Sequence, residues 1–301
     1  MTFLQLISKF PDDNAVIEYY IQARYNGIPA CHHCGSISVY HRKDYPKKYQ
    51  CMDCNNSFSI FKDTIFEDSY TSLVKWMYAI HLMINSKKGI SGLQLKRELG
   101  VTYKTAWRML RQIRKAMGNE DLKEFFKGVV EVDETFHGGK PRKGNTGKQK
   151  GKTQNKQGQT DKKPIIGIVD RDKKKIYSLV PDPHLKTSKP TSLNILTAIM
   201  QYVKPNPDTH VITDQYRGYH ILKSEGYNHS FVDHHRFFSH NGIHTNNIEG
   251  FWATLKRGLK GIYQCVSVKY LQSYVNEFCF RYNNRNNDKI FDQLLTQTVM
   301  M

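Results

Sequence analysis

VVEVDETF (129–136) sets three carboxylates, Glu131, Asp133 and Glu134, inside a run of valine, threonine and phenylalanine. The β-branched residues predict a strand. An isolated carboxylate is costly to bury, so an acid within an apolar strand asks for a cation beside it. Alternation puts Glu131 and Asp133 on one face. Periodicity therefore leaves open which of the three acids is functional. Working outward, IIGIVD (165–170), KIYSLV (175–180), HVITD (210–214) and HSFVD (229–233) read as further short strands, the first two joined by the basic turn RDKK. LNILTAIMQYV (193–203), IEGFWATLKRGLKGIY (248–263) and VKYLQSYVNEFCFRYN (268–283) carry helical spacing. Strands interleaved with helices in this order predict a mixed α/β domain.

Two further acids fall at suggestive places. Asp214 ends the strand HVITD, and Glu249 opens the helix IEGFWATLKRG as its one carboxylate. Two strand acids and one helix acid can converge on a pair of Mg²⁺ (or Mn²⁺) ions. Such ions activate a water or a 3′-hydroxyl on one side of a phosphodiester and steady the leaving oxygen on the other.

The charge points to the same class of substrate. The chain of 301 residues carries a formal net charge of +18. Lysine and arginine in such excess suit a polyanion, because neutralising phosphates releases counterions. Residues 138–163 hold nine bases, Lys143, Lys148 and Lys150 among them, against the single acid Asp161. With no apolar residue this stretch cannot build a core, and it reads as a basic loop between strands that contacts phosphate. MTFLQLISKF lacks the basic n-region of a secretory signal, and no apolar run is long enough to span a membrane. A cytoplasmic protein with no membrane partner is expected.

Four of the six cysteines form two knuckles, Cys31/Cys34 and Cys51/Cys54, separated by sixteen residues. Paired C-x2-C knuckles complete a tetrahedral thiolate shell, so a zinc ribbon with structural Zn²⁺ is expected from Gly27 to Ile65. Cys265 and Cys279 read as core thiols. Residues 90–117 then read as a helix-turn-helix. Leu93, Leu95 and Leu99 face inward on a first helix, Gly100 allows the turn, and Ala106, Trp107, Leu110, Ile113 and Met117 face inward on the second. Lys104, Arg108, Arg111 and Arg114 are left to meet double-stranded DNA.

DETFHGGK (133–140), TDQYRGY (213–219), NHS (228–230), HTNNIEGFWATLKRGLKGIY (244–263) and YVNEFCFRYNNR (274–285), behind a ribbon and a helix-turn-helix, resemble bacterial insertion-sequence DDE transposases. The resemblance covers nearly the whole chain. It implies an RNase H-like core and a metal-dependent enzyme that nicks the terminal inverted repeats of its element. That enzyme then joins the freed 3′-hydroxyl to target DNA. It implies Asp133 and Asp214 as the first two catalytic acids. The third position varies among Glu, Asn and His in such proteins. Here Glu249 follows Asp214 after thirty-four residues, a spacing like that of the Glu-bearing members. Lys256 matches the conserved base, seven residues on and on the same helix face, beside Arg257 as a DNA contact. Asn246 and Asn247 compete for the third position or cap the helix. Gln264 and Tyr270 depart from the pattern, standing where relatives often have His.

The domain order expected is a helical lead-in (1–26), ribbon (27–65), helix-turn-helix region (70–118) and catalytic domain (128–288). The resemblance implies a homo-oligomer, at least a dimer on paired ends. The rival reading is a catalytically inactive DNA-binding regulator derived from a transposase.

Overall fold

The computed structural model describes residues 1–45, 47–118, 125–138, 162–181, 190–232 and 243–299. The chain divides into two compact units, Met1–Glu120 with Asn284–Met301, and Asp121–Asn283. The loop bases Lys143, Lys148 and Lys150 lie outside the described residues.

The first unit opens with helices α1 (Phe3–Lys9) and α2 (Asp13–Tyr25), capped by the side chains of Thr2 and Asp12. A three-stranded antiparallel sheet follows: β1 (Val39–His41), β2 (Lys48–Cys51) and β3 (Ser57–Ser59). Its small core is Cys31, Cys51 and Phe58. So little apolar area cannot hold a fold by itself, which is why the cysteines matter.

Three helices come next, α3 (Leu73–Asn85), α4 (Gly92–Leu99) and α5 (Tyr103–Met117). Ser91 and Thr102 cap α4 and α5, and Gly100 ends α4 in the left-handed region at φ 59°. Leu95, Leu99, Ala106, Leu110, Ile113 and Met117 are buried as the spacing requires, whereas Leu93 is exposed. Arg114 corrects the expected outer face. It is 2% exposed, because it shares the stripe of Leu110, Ile113 and Met117 rather than the basic side.

In the second unit the strands are β4 (Gly128–His137), β5 (Lys163–Asp170) and β6 (Lys175–Leu179). Helix α6 (Ser192–Met200) crosses over to β7 (Thr209–Asp214), and the short α7 (Ile221–Ser224) leads to β8 (Asn228–Val232). Helices α8 (Asn246–Gly258) and α9 (Val268–Asn283) close the unit. The order is β6-β5-β4-β7-β8, with β6, β5 and β4 antiparallel and β4, β7 and β8 parallel. This is the RNase H-like mixed sheet.

Each face of the sheet has its own core. Val130, Val132, Ile166, Ile168 and Val211 pack with Ile195 and Ile199 of α6. Ile165, Val169 and Ile176 pack with Ile248, Phe251, Trp252 and Leu255 of α8. Alternation along β4 therefore turns Glu131 and Asp133 toward α8. Helix α8 runs on into one π-helical stretch, Leu259–Tyr263. Cys279 is buried in the α8 face, but Cys265 is exposed: it falls in the connection after the π-helical stretch, where its neighbour Val266 takes the inward position.

Helix α10 (Ile290–Val299) belongs to the first unit. It buries Phe291, Leu294 and Leu295, its Thr298 hydroxyl bonds the Tyr20 phenol, and Asp292 meets Lys9 at 2.9 Å. Among the described residues no helix is long and apolar enough to cross a membrane.

Candidate active site and metal centres

Pairing between β4 and β7 ends at Glu131 and Ile212. Asp133 and Asp214 lie two residues further along each strand, where the strands part. The carboxyl ends of parallel strands are where open α/β sheets place their ligands. One oxygen from each of Asp133, Glu134 and Asp214 lies within 4.8 Å of the others.

A different donor steadies each acid. The indole Nε1 of Trp252 donates to Asp133 Oδ2 at 2.9 Å. The Tyr219 phenol, fully buried, donates to Glu134 Oε2 at 2.6 Å. The backbone N–H of Tyr216 donates to Asp214 Oδ1 at 2.9 Å. The Thr213 hydroxyl donates to the Asp214 carbonyl at 2.7 Å and meets His229 Nε2 at 2.9 Å. Burial, then the charges of Lys223, His220 and His210, pushes His229 down to about 4, so this imidazole stays neutral near pH 7.

The acids repel one another. Burial first, then the neighbouring Glu134 and Asp214, pushes the Asp133 carboxyl up to about 7, against the lowering effect of the Trp252 hydrogen bond. Carboxylate oxygens gathered this closely are what a hard, oxygen-seeking cation such as Mg²⁺ or Mn²⁺ neutralises. The donor set fits a divalent ion.

Glu131 has a different task. It is 0% exposed and accepts from Arg171 Nε at 2.6 Å, Asn247 Nδ2 at 2.7 Å and the backbone N–H of Ile248 at 3.0 Å. The cation that this strand acid requires is thus the Arg171 guanidinium, from the turn that reads in sequence as merely basic. Two of the three donors belong to the first turn of α8, so Glu131 caps that helix from a neighbouring strand. Asn246 and Asn247 do not act as its N-cap. Thr245 stands there, and its hydroxyl donates to Glu249 Oε1 at 2.9 Å.

Glu249 and Lys256 are both exposed on α8, and Glu249 is outside the group formed by Asp133, Glu134 and Asp214. Trp252, between them in sequence, is buried in the core. Of the basic candidates, Lys104, Arg111 and Arg257 are exposed. Arg108 is partly buried and donates to the carbonyls of Glu67 and Asp68, at 2.5 and 3.3 Å. Sequence reasoning missed Tyr219, Arg171 and Gly167. The last has a legible trace, since a glycine inside a strand signals a close approach.

In the first unit the Sγ atoms of Cys31, Cys34, Cys51 and Cys54 lie within 4.8 Å of one another. Cys31 and Cys54 are 3.6 Å apart, and Cys34 and Cys51 3.5 Å. Zn–S bonds of about 2.3 Å in a tetrahedron put sulfurs roughly 3.8 Å apart, so the donors fit zinc. The backbone N–H of Asn56 first, and then its side-chain amide, draw the Cys54 thiol down to about 6, toward the thiolate that a metal takes. Purified protein is expected to carry one zinc per chain in this cluster. Cys51→Ser should lose it, and the ribbon's order with it. Elemental analysis together with amide exchange checks this, and a zinc-free wild-type protein that keeps an ordered ribbon would contradict it.

Comparison with known proteins agrees with this geometry. The ISXO2-like transposase domain model matches residues 125–283, and a transposase zinc-ribbon domain model matches residues 11–57. A protein of Halobacterium salinarum, described as an uncharacterized protein in transposable element ISH50, is 25% identical over 288 residues. The match covers 91% of this chain and 92% of that protein. An uncharacterized transposase-like protein of Haemophilus influenzae is 30% identical over 110 residues, or 36% of this chain and 82% of its own length. The chain belongs to the transposase family defined by the ISXO2-like transposase domain, here preceded by a transposase zinc ribbon.

Proposed function

We propose that this protein is a DDE transposase that binds the terminal inverted repeats of its insertion sequence and cuts and joins DNA strands there. The observation that carries the reading is the approach of Asp133 and Asp214 where two parallel strands of a transposase domain part. Mg²⁺ or Mn²⁺ bound there would supply the activated oxygen nucleophile and stabilise the leaving oxygen. Asp133 and Asp214 would hold the cation. Glu249 would supply the third carboxylate from α8, and Glu134 lies beside the pair. Lys256, two turns after Glu249, engages the phosphate of the cleaved end, with Arg257 beside it.

The ribbon and the α4–α5 pair form the end-binding region. Exposed Lys104 and Arg111 are its best-supported DNA contacts. Arg108 reaches DNA by leaving its two carbonyl partners, and buried Arg114 plays no direct part. The basic loop bearing Lys143, Lys148 and Lys150 adds phosphate contacts that fall away with salt. Work on two paired ends calls for at least a dimer on DNA, in the cytoplasm where the element resides.

The test uses a duplex carrying the DNA that flanks this coding sequence, a supercoiled target plasmid and Mn²⁺ or Mg²⁺. The expected products are a nick at each element end and then strand-joined molecules. Cutting without joining would reduce the protein to a nuclease. Tight end binding without cutting would favour the inactive regulator instead.

A further inference from the structure

We infer that Trp252 is a positioning residue of the metal site, holding the Asp133 carboxylate through its indole N–H in a slot that Gly167 keeps open. The inference rests on reading Asp133 as a metal ligand.

Three observations converge on this assignment. The indole Nε1 lies 2.9 Å from Asp133 Oδ2, a full hydrogen bond between an N–H donor and a carboxylate. Trp252 is 4% exposed, with Ile248, Phe251 and Leu255 in the same core, so the ring has little freedom to swing away. Gly167 pairs with Asp133 across the β4–β5 ladder. A Cβ built there would stand 2.6 Å from the indole Cζ2 and 2.7 Å from Cη2. No side chain fits at that position while the ring stays where it is. The glycine opposite the acid and the tryptophan on the helix are therefore two halves of one arrangement.

Its consequence is orientation. An indole N–H is a donor only, and it occupies one of about four acceptor directions on a carboxylate. Fixing that direction restricts rotation of the Asp133 carboxyl while leaving other lone pairs for a cation. The donor sits on the helix that also bears Glu249 and Lys256 and ties that helix to the metal-bearing strand. Groups that orient a metal ligand without touching the metal are worth about 10- to 100-fold in metal affinity or activity.

The full-length protein with Trp252 replaced by 3-benzothienylalanine, which keeps the ring shape and removes only the N–H, gives the cleanest test. Mn²⁺ affinity is read by calorimetry. The isostere is expected to fold normally, to bind Mn²⁺ about 10- to 100-fold more weakly, and to bind DNA as before. Cleavage should recover as Mn²⁺ is raised. Trp252→Phe, which also loses the N–H, should weaken Mn²⁺ binding in the same direction. Gly167→Ala, which adds no polar group, should weaken Mn²⁺ binding in the same direction by displacing the ring. Unchanged Mn²⁺ affinity in the isostere would reduce Trp252 to packing and overturn the inference. If instead Asp133→Asn with Asp214→Asn binds Mn²⁺ as well as wild type, the metal-site reading itself fails.

Discussion

Asp133→Asn and Asp214→Asn are each expected to abolish metal-dependent cleavage, by on the order of 10³-fold or more, the upper range for removing one electrostatic group from a reacting centre. Both amides keep the shape of the acid and lose its charge, so DNA binding should persist. Gel-shift and nicking assays on the same preparation separate the two effects. Near-normal nicking by either variant would discard the assignment. Glu249→Gln and Glu134→Gln, assayed beside them, tell which carboxylate completes the site in the working enzyme.

Asp133→Asn has a second expected result, opposite in sign. In the metal-free protein the Asp133 carboxyl is raised from its ordinary 3.8 to about 7, chiefly by burial and then by Glu134 and Asp214. The unfolded chain gives up this proton near pH 4 and the folded one only near pH 7. This group's contribution to stability is therefore complete below the lower value and is lost as pH rises through the upper one. Metal-free wild type should be less stable at pH 8 than at pH 5.5 through this group, and added Mn²⁺ should stabilise it more at pH 8. In Asp133→Asn that dependence should shrink and metal-free stability at pH 8 should rise. Thermal melts with and without Mn²⁺ measure both.

What was legible in the sequence follows from how local the physics is. Strands with β-branched alternation and the C-x2-C knuckles depend on neighbours a few residues away, and both stand where the residues placed them. The α5 stripe shows the limit. Ala106, Leu110, Ile113 and Met117 are buried as their spacing requires, but Arg114, whose charge points it outward, is buried with them by its position. A guanidinium can be buried when partners exist, and partners distant in sequence are invisible to periodicity.

The strand acids make the same point more sharply. VVEVDETF offers three carboxylates, and their roles are set by side chains 40 to 119 residues away: Arg171 and Asn247 on Glu131, Trp252 on Asp133, Tyr219 on Glu134. That a buried acid needs a cation holds for Glu131, which meets Arg171. The rule could not say that this cation is an arginine of the same sheet. Glu249 illustrates the reverse limit: family spacing and helix register select it, while its carboxylate accepts from Thr245 within its own helix terminus.

Glu131→Ala is expected to destabilise the sheet unit by about 3–5 kcal/mol, the usual cost of removing one partner of a buried ion pair. Against a typical domain stability of about 5–15 kcal/mol, that is enough to leave a fraction unfolded at moderate urea concentration. The Arg171 guanidinium would lose a carboxylate at 2.6 Å, and Asn247 Nδ2 and the Ile248 N–H would lose the acceptor that caps the first turn of α8. Glu131→Gln should cost less, because the amide oxygen can still accept from one of these donors. The informative variant is the double one, Glu131→Leu with Arg171→Met. Replacing a buried pair by apolar residues is often neutral. Here the replacement still strips the acceptor from the first turn of α8, so only partial recovery is expected, with the deficit falling on that helix. Urea titration followed by circular dichroism gives the energies, and amide exchange locates them. Full recovery in the double variant would mean that the ion pair alone matters, and that α8, with Glu249 and Lys256 on it, is held to the sheet by its apolar face.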